Sequence, residues 1–460
     1  MQALPFFDQA LLSKYNTSGP RYTSYPTAVE FSGDFSESEY QSAIIDSTND
    51  KLSLYIHIPF CHSLCYYCGC NKVVTRHRDK ADIYLDFLIK EIEAKALLFK
   101  QRKIEQVHLG GGTPSFLDQK QLKRLVDSLR ANFEFAEHIE QSIEIDPREI
   151  ELTYAEQLFQ LGFNRMSIGV QDTDSKVQEA INREQSTKFV EMFIAHAKKV
   201  GFKSINIDLI YGLPHQTIET FAKTIDKAIE MDVDRVSLFS YAHLPSRFAA
   251  QRKIKDEWLP NAQSKFELMR FAIETFTSRG YEFIGMDHFA KPDDELAVAQ
   301  REGVLQRNFQ GYSTHGGCDL VAFGVSSISA IDNVFAQNHK QIEHYQGAID
   351  SGNLPVARGF ELSNDDLLRQ EVIKQLICHF ELNFDDINKQ FGIHSQEYFA
   401  EELEQLKPMS EDGLLDISEN TIRVSLAGRL LIRRICMTFD AYLKPSLTKQ
   451  GTEIRYSKII

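Results

Sequence analysis

Tryptophan occurs once in these 460 residues and cysteine seven times. Cysteines this sparse do not build the dense disulfide framework of a small secreted domain. Apolar runs fall far short of the ~18 residues that a membrane-spanning helix needs. The opening stretch MQALPFFDQALLSKY has no basic start and no long apolar centre, so it does not read as a secretory signal. Positive charge is not in excess. Lys and Arg number 51 against 65 Asp and Glu, a formal net charge of −14, which argues against nucleic-acid binding through a general basic surface. There is no low-complexity tract and no repeat of about 20–50 residues. What is present is a 43% hydrophobic chain, enough for a large core in two or three domains or subdomains. It is expected to work in the reducing cytoplasm.

The few cysteines are concentrated. Cys61, Cys65, Cys68 and Cys70 all fall within KLSLYIHIPFCHSLCYYCGCNK, residues 51–72. The first three are spaced Cys-x3-Cys-x2-Cys and follow an apolar run, Leu52 to Ile58, that reads as a buried strand ended by Pro59. Three thiolates on one short loop can hold three corners of an iron–sulfur cube, leaving the fourth iron open to another ligand. A zinc site is a competing reading, but four-cysteine zinc sites usually join two clips from separate segments, and no second clip exists here. Disulfides and chance burial compete less well.

Beyond the loop, strand-like and helix-like stretches alternate. Helical periodicity over 78–98 precedes a strand at 104–109, which ends in Gly110-Gly111-Gly112-Thr113-Pro114. A helix near 117–134 leads to a strand at 142–145, and a helix near 152–160 leads to a strand at 165–170. A helical region at 174–199, a strand at 204–210, a helix at 216–230 and a strand at 235–241 complete six units. Such alternation specifies parallel strands with right-handed crossovers. Six units make a partial (β/α)6 barrel, where eight would close a full one. Active sites in such folds lie at the C-terminal ends of the strands. The cysteine loop, the glycine triplet, Glu144, Gln171 with Asp172, Asp208, and Tyr241 to His243 all fall there. Glu144 and Asp208 are charges in apolar strands, so each implies a cationic or hydroxyl partner. Arg183 is a candidate for that partner, or for a ligand carboxylate. Tyr55 and His57 alternate with apolar neighbours and share one face, His57 fitting best as a satisfied core histidine.

The cysteine spacing after a first strand resembles the radical S-adenosylmethionine superfamily. The wider run YIHIPFCHSLCYYCGCNK is similar to the oxygen-independent coproporphyrinogen III oxidase family (coproporphyrinogen dehydrogenases), as are GGGTP, SIEIDPREI, SIGVQD, NREQ, NIDLIYGLP and FSYAHLP. The likeness runs from about residue 18 to the end. It implies a 4Fe–4S cluster on Cys61, Cys65 and Cys68. It implies contacts to S-adenosylmethionine from Tyr55, Gly111, Gly112, Thr113, Glu144, Gln171, Arg183, Asp208, Ala242 and Ile328. It further implies a second S-adenosylmethionine beside Tyr67 and Cys70. The implied reaction turns two propionates of coproporphyrinogen III into vinyls through a 5′-deoxyadenosyl radical, giving protoporphyrinogen IX and two CO2. The catalytic residues are unknown, since the cofactor carries the radical, with Cys70 the one candidate. A flavodoxin-type electron donor, a monomer, and no nucleic-acid or membrane partner are expected. Haem chaperones of the same superfamily are the alternative, but they usually carry an aromatic where Cys70 stands.

Outside the barrel the sequence is less regular. PRYTSYPT, within an N-terminal arm of residues 1–50, is a stiff extended segment, and Arg21 in it is a candidate for a substrate carboxylate. Residues 51–354 are read as the barrel with its extension. STHGGCD, residues 313–319, departs from the family pattern, so His315 and Cys318 receive no role. Cys318, Cys378 and Cys436 read as small buried residues. Residues 355–460 read as a helical domain. Ser363 is the N-cap of its first helix, a second follows at 395–407, then a hairpin in 412–425 and a closing helix from 426. That order resembles a winged helix. A covering role suits the acidic chain better than DNA binding.

Overall fold

The computed structural model describes residues 9–100, 102–443 and 456–459. The first eight residues of the arm and most of the tail beyond residue 443 lie outside the described residues. Two compact units interleave along the chain. One is made of residues 31–272 and 317–361, the other of residues 1–30, 273–316 and 362–460. The arm is thereby shared out differently from a single segment 1–50. Ser32 exchanges backbone hydrogen bonds with Gly359, and so belongs with the barrel. Arg433 donates to the carbonyl of Pro20 at 2.8 Å, and Tyr22 donates to Asp440 at 2.9 Å, so residues 15–25 go with the C-terminal helices.

The barrel unit follows the alternation of the sequence. Its strands are β1 (Lys51–Ile58), β2 (Lys103–Gly111), β3 (Glu134–Ile145), β4 (Arg165–Gln171), β5 (Ser204–Tyr211) and β6 (Arg235–Ser240). The crossing helices are α1 (Asp79–Ala96), α2 (Gln119–Asn132), α3 (Tyr154–Gln160), α4 (Thr187–Val200) and α5 (Ile218–Glu230). Strands 1 to 6 are neighbours in sequence order and pair in parallel. β4 is buried at almost every position, as a parallel strand covered on both faces must be. α5 starts on a Thr217 capping box and buries Phe221, Thr224, Ile225 and Ala228, one stripe at three- and four-residue spacing.

Within this unit, four strands extend the sheet past β1: β7 (Asp319–Phe323), β8 (Ile328–Ile331), β9 (Val334–Asn338) and β10 (Val356–Glu361). β7 lies parallel to β1, with Tyr55 opposite Ala322, and β8 to β10 continue antiparallel. Polar residues hide this part in the sequence. Gln337 and Asn338 are buried in β9 because Ser326 and Glu91 satisfy their amides. Glu91 and Lys95 of α1 form a wholly buried pair at 2.7 Å. Lys95 also donates to the carbonyl of Ala322, while Glu91 accepts from the amide of Gly324 and from Tyr345. Every charge in that group has a partner, the condition for tolerating it in a core.

The other unit holds two hairpins, Glu282–Gly285 with His288–Ala290 and Gln306–Asn308 with Gly311–Ser313. Ser363 caps the helix Asn364–His379 through a capping box with Asp366. A three-stranded sheet follows, in the order 381–383, 421–424, 415–417, with short helices between, and this keeps the winged-helix character. The helix Phe384–Phe391 is an addition to the expected set, and the closing helix breaks at Leu431.

Candidate active site

The cysteine loop leaves β1 and is pinned at both ends. Phe60–Cys61 runs parallel to Val73–Val74, and the Thr75 amide donates to the carbonyl of Cys61 at 2.9 Å. Between these strands the loop is tied to the barrel rim by its backbone. The Tyr66 amide donates to Ile181 at 2.9 Å, Asn182 donates to the Leu64 carbonyl at 2.8 Å, and Gln251 to the Tyr67 carbonyl at 2.9 Å. Tyr66 and Tyr67 pack against Val177, Ile181, Ile210, Leu213, Tyr241 and Ile254. The sulfurs are therefore held on a fixed frame before any metal binds.

All seven cysteines are free thiols, which removes the disulfide reading. Cys65 is buried, Cys61 and Cys68 are half-buried, and Cys70 is exposed. Burial pushes the Cys61 thiol up to about 12. Hydrogen bonding from Cys70 lowers Cys68, and the Cys70 amide lies 3.5 Å from its sulfur. Among the described residues no three His, Cys, Asp or Glu side chains converge as ligands to one ion would. Thiolates on three separate corners of a cube need not converge in that way. Two guanidiniums stand beside the loop. Arg183 Nη1 and Arg148 Nη2 each lie 3.4 Å from Cys65 Sγ. Three thiols with cationic N–H donors beside one of them suit an anionic thiolate cluster.

Arg183 does not pair with Glu144 or Asp208. It sits 3.3 Å from Asp146 and donates to the carbonyl of Gly169 at 2.7 Å. Asp146 also takes Arg148 at 2.6 Å. Burial opposes ionisation of Asp146, but the two cations hold its carboxyl down at about 2. A Cβ on Gly169 would stand 2.7 Å from Arg183 Nη2, so the glycine lets the guanidinium pack closely against β4. Arg183 Nε is buried without a partner among the described residues. Gln171, at the end of β4, takes a left-handed backbone with φ 67° and is buried.

A second group gathers around β1 to β3. Glu144 accepts from the Gly111 amide at 3.2 Å and faces His108 Nε2 at 3.4 Å, so its partners are an amide and an imidazole. Tyr55 stacks on His108, and its hydroxyl meets His57 Nδ1 at 3.1 Å. His57 Nε2 lies 3.1 Å from the Asn71 carbonyl, which completes it as a satisfied core histidine. Gly111 has φ 121°, and a Cβ there would lie 2.7 Å from the His57 ring. The glycine is needed for this close approach whatever it binds. Thr113 is buried, its amide bonded to the Phe60 carbonyl. Asp208 finds Asn206 Nδ2 at 2.9 Å and the Ser167 hydroxyl at 3.2 Å. Burial, with Glu144 nearby, raises its carboxyl to about 7. Gln251 bridges two further candidates, donating to the carbonyls of both Tyr67 and Ala242. Ile328 is half-buried at the start of β8.

Sequence reasoning missed Asp146, Arg148, Asn182 and Gln251. Only Asp146-Pro147-Arg148 carried a signal, as a charged turn directly after a strand. Among the described residues no helix is long and apolar enough to cross a membrane.

Comparison with known proteins bears on this geometry. Residues 55–228 match the radical SAM superfamily and residues 362–431 the HemN C-terminal domain. The oxygen-independent coproporphyrinogen III oxidase of Salmonella typhimurium is 54% identical over 454 residues, 99% of this chain and 98% of that protein. The oxidase of the same name from Pseudomonas aeruginosa is 48% identical over 459 residues, 99% of each. The solved structure of coproporphyrinogen III oxidase (HemN) from Escherichia coli, described as a radical SAM enzyme, superposes with a TM-score of 0.93 at 52% identity. That match covers 96% of this chain and all of the other.

Proposed function

The chain belongs to the oxygen-independent coproporphyrinogen III oxidase family of the radical SAM superfamily, and from that premise we propose how its barrel rim serves the reaction. The enzyme oxidatively decarboxylates two propionates of coproporphyrinogen III to vinyls, giving protoporphyrinogen IX. Its cofactors are a 4Fe–4S cluster and S-adenosylmethionine. Bound together, they supply the 5′-deoxyadenosyl radical that removes a hydrogen from the propionate carbon next to the ring. Each vinyl then requires loss of CO2 and of one more electron.

Cys61, Cys65 and Cys68 hold the cluster. Arg183 and Arg148 balance the charge of the Cys65 thiolate and keep that part of the loop in place. The single observation carrying this reading is the three-thiol loop, pinned by its backbone, with the Arg183 N–H directed at Cys65 sulfur. Tyr55, Gly111, Gly112, Thr113, Glu144, Gln171, Arg183, Asp208, Ala242 and Ile328 bind one S-adenosylmethionine. Glu144 and Asp208 offer oxygens to its amine and hydroxyls, which stand in for the amide, imidazole and hydroxyl partners they have now. A second S-adenosylmethionine lies by Tyr67 and Cys70, supported by the place of Cys70 directly beside Cys68. A flavodoxin-type protein supplies electrons, and a monomeric chain works in the cytoplasm without nucleic acid or membrane. The test is 5′-deoxyadenosine release from S-adenosylmethionine by the reconstituted, dithionite-reduced protein. Release that rises on adding coproporphyrinogen III supports the reading, and none with substrate present contradicts it.

A further inference from the structure

The second unit contains arginines that the fold leaves unanswered. In the hairpin of Gln306–Asn308 and Gly311–Ser313, Arg307 is directly opposite Tyr312. Its guanidinium carbon lies 4.7 Å from the Tyr312 ring centroid, while Nε and Nη1 are buried with no hydrogen-bond partner among the described residues. Arg429 repeats the arrangement. Its guanidinium carbon lies 4.4 Å from the Phe380 ring centroid, and its Nε is likewise buried and unpartnered. The two aromatic platforms meet at Gly285. A Cβ on that residue would lie 2.8 Å from both the Tyr312 hydroxyl and the tip of Phe380.

Among the described residues no carboxylate pairs with either guanidinium. The carboxylate near Tyr312 is Asp287, already engaged by Arg21, which accounts for the arm's candidate as an internal ion pair. Burial alone depresses Arg429, with no anion acting against it. Leaving a charged N–H buried and unbonded is costly, and such groups in a native fold call for an explanation. An arginine held over a ring can still offer its N–H fork to a carboxylate.

We propose that Arg307 and Arg429, on the Tyr312 and Phe380 rings, form a subsite that binds propionate carboxylates of the substrate. This rests on the coproporphyrinogen oxidase reading above and extends it to specific contacts. They are binding residues, remote in sequence from every cluster ligand, and take no part in generating the radical.

The experiment uses the reconstituted holoenzyme under anaerobic conditions, with wild type, Arg307→Gln, Arg429→Gln and the two Arg→Lys variants. Coproporphyrin III, the fluorescent oxidised form of the substrate, is titrated by anisotropy, and KM is measured for coproporphyrinogen III and for S-adenosylmethionine. Each Gln variant should weaken porphyrin binding and raise the substrate KM about ten- to a hundredfold, the loss expected for a charged hydrogen bond. The Lys variants should recover part of that loss. The KM for S-adenosylmethionine and the spectrum of the cluster should stay at wild-type values. Unchanged porphyrin affinity in both Gln variants overturns the proposal. So does an equal loss for S-adenosylmethionine, which would mark the arginines as structural. A wild-type enzyme that neither binds nor converts the porphyrin fails the family reading instead, and the two failures are thereby told apart.

Discussion

Arg183 directs a guanidinium N–H at the sulfur of Cys65, 3.4 Å away, and the same nitrogen lies 3.3 Å from Asp146. One side chain thus touches both the cysteine loop and the end of β3. Without Arg183 the loop still keeps Arg148 beside Cys65 and its backbone bonds to Ile181 and Asn182, so a change at Arg183 should separate cofactor binding from cluster binding. Arg183→Ala is expected to keep its iron but to bind S-adenosylmethionine more weakly by about 1.5–3 kcal/mol, the loss of a charge-assisted contact. Glu144→Ala should behave alike. Calorimetric titration checks both, and unchanged affinity in the two variants would remove the rim assignment.

Replacing Cys61, Cys65 or Cys68 with serine should abolish the brown colour of the anaerobic protein and its content of about four iron and four sulfide per chain. Iron and sulfide analysis decides this. A Cys68→Ser protein with a full cluster would show that the ligand set is misassigned.

Cys70 follows the last ligand by two residues and is exposed. A fourth thiolate on the cube would occupy the iron that S-adenosylmethionine needs. Cys70→Ser is expected to retain iron and to cleave S-adenosylmethionine, yet to form little or no protoporphyrinogen. Normal product formation would reduce Cys70 to a packing role.

Asp208 gives a pH signature. Its carboxyl is raised to about 7 in the fold, against about 4 for an ordinary aspartate. The folded state therefore keeps a proton that the unfolded chain has lost. Stability falls as pH rises from about 4 to 7, and levels off above that. Asp208→Asn should remove this part of the profile and gain stability over wild type as pH climbs through the window. Denaturant unfolding at several pH values, without S-adenosylmethionine, measures it. A difference between the two proteins that does not change with pH would contradict the buried carboxyl.

Much of this was legible before any coordinates. The six parallel strands announce themselves because apolar runs alternate with helical periodicity, and because rim residues must follow each strand. The cysteine spacing is equally plain, since its chemistry is local. β9 is hidden because its buried polar residues are satisfied in ways the strand itself does not show, Gln337 by the Ser326 loop carbonyl and Asn338 by Glu91, 247 residues away. The same holds for Arg183. Its charge was visible, but its partners, Asp146 and the carbonyl of Gly169, come from two different strand ends that only the fold brings together. Arg307 and Arg429 lie more than a hundred residues apart, and the tips of their aromatic platforms both lie against Gly285.

The most direct test of the whole account is a single anaerobic turnover assay. The reconstituted protein is given coproporphyrinogen III, S-adenosylmethionine and a low-potential reductant. Product is read by fluorescence after oxidation. Protoporphyrin should accumulate only when S-adenosylmethionine and the cluster are both present, with two CO2 released per product. A protein that carries its cluster, binds haem tightly and forms no protoporphyrin would contradict the account and make the chain a carrier.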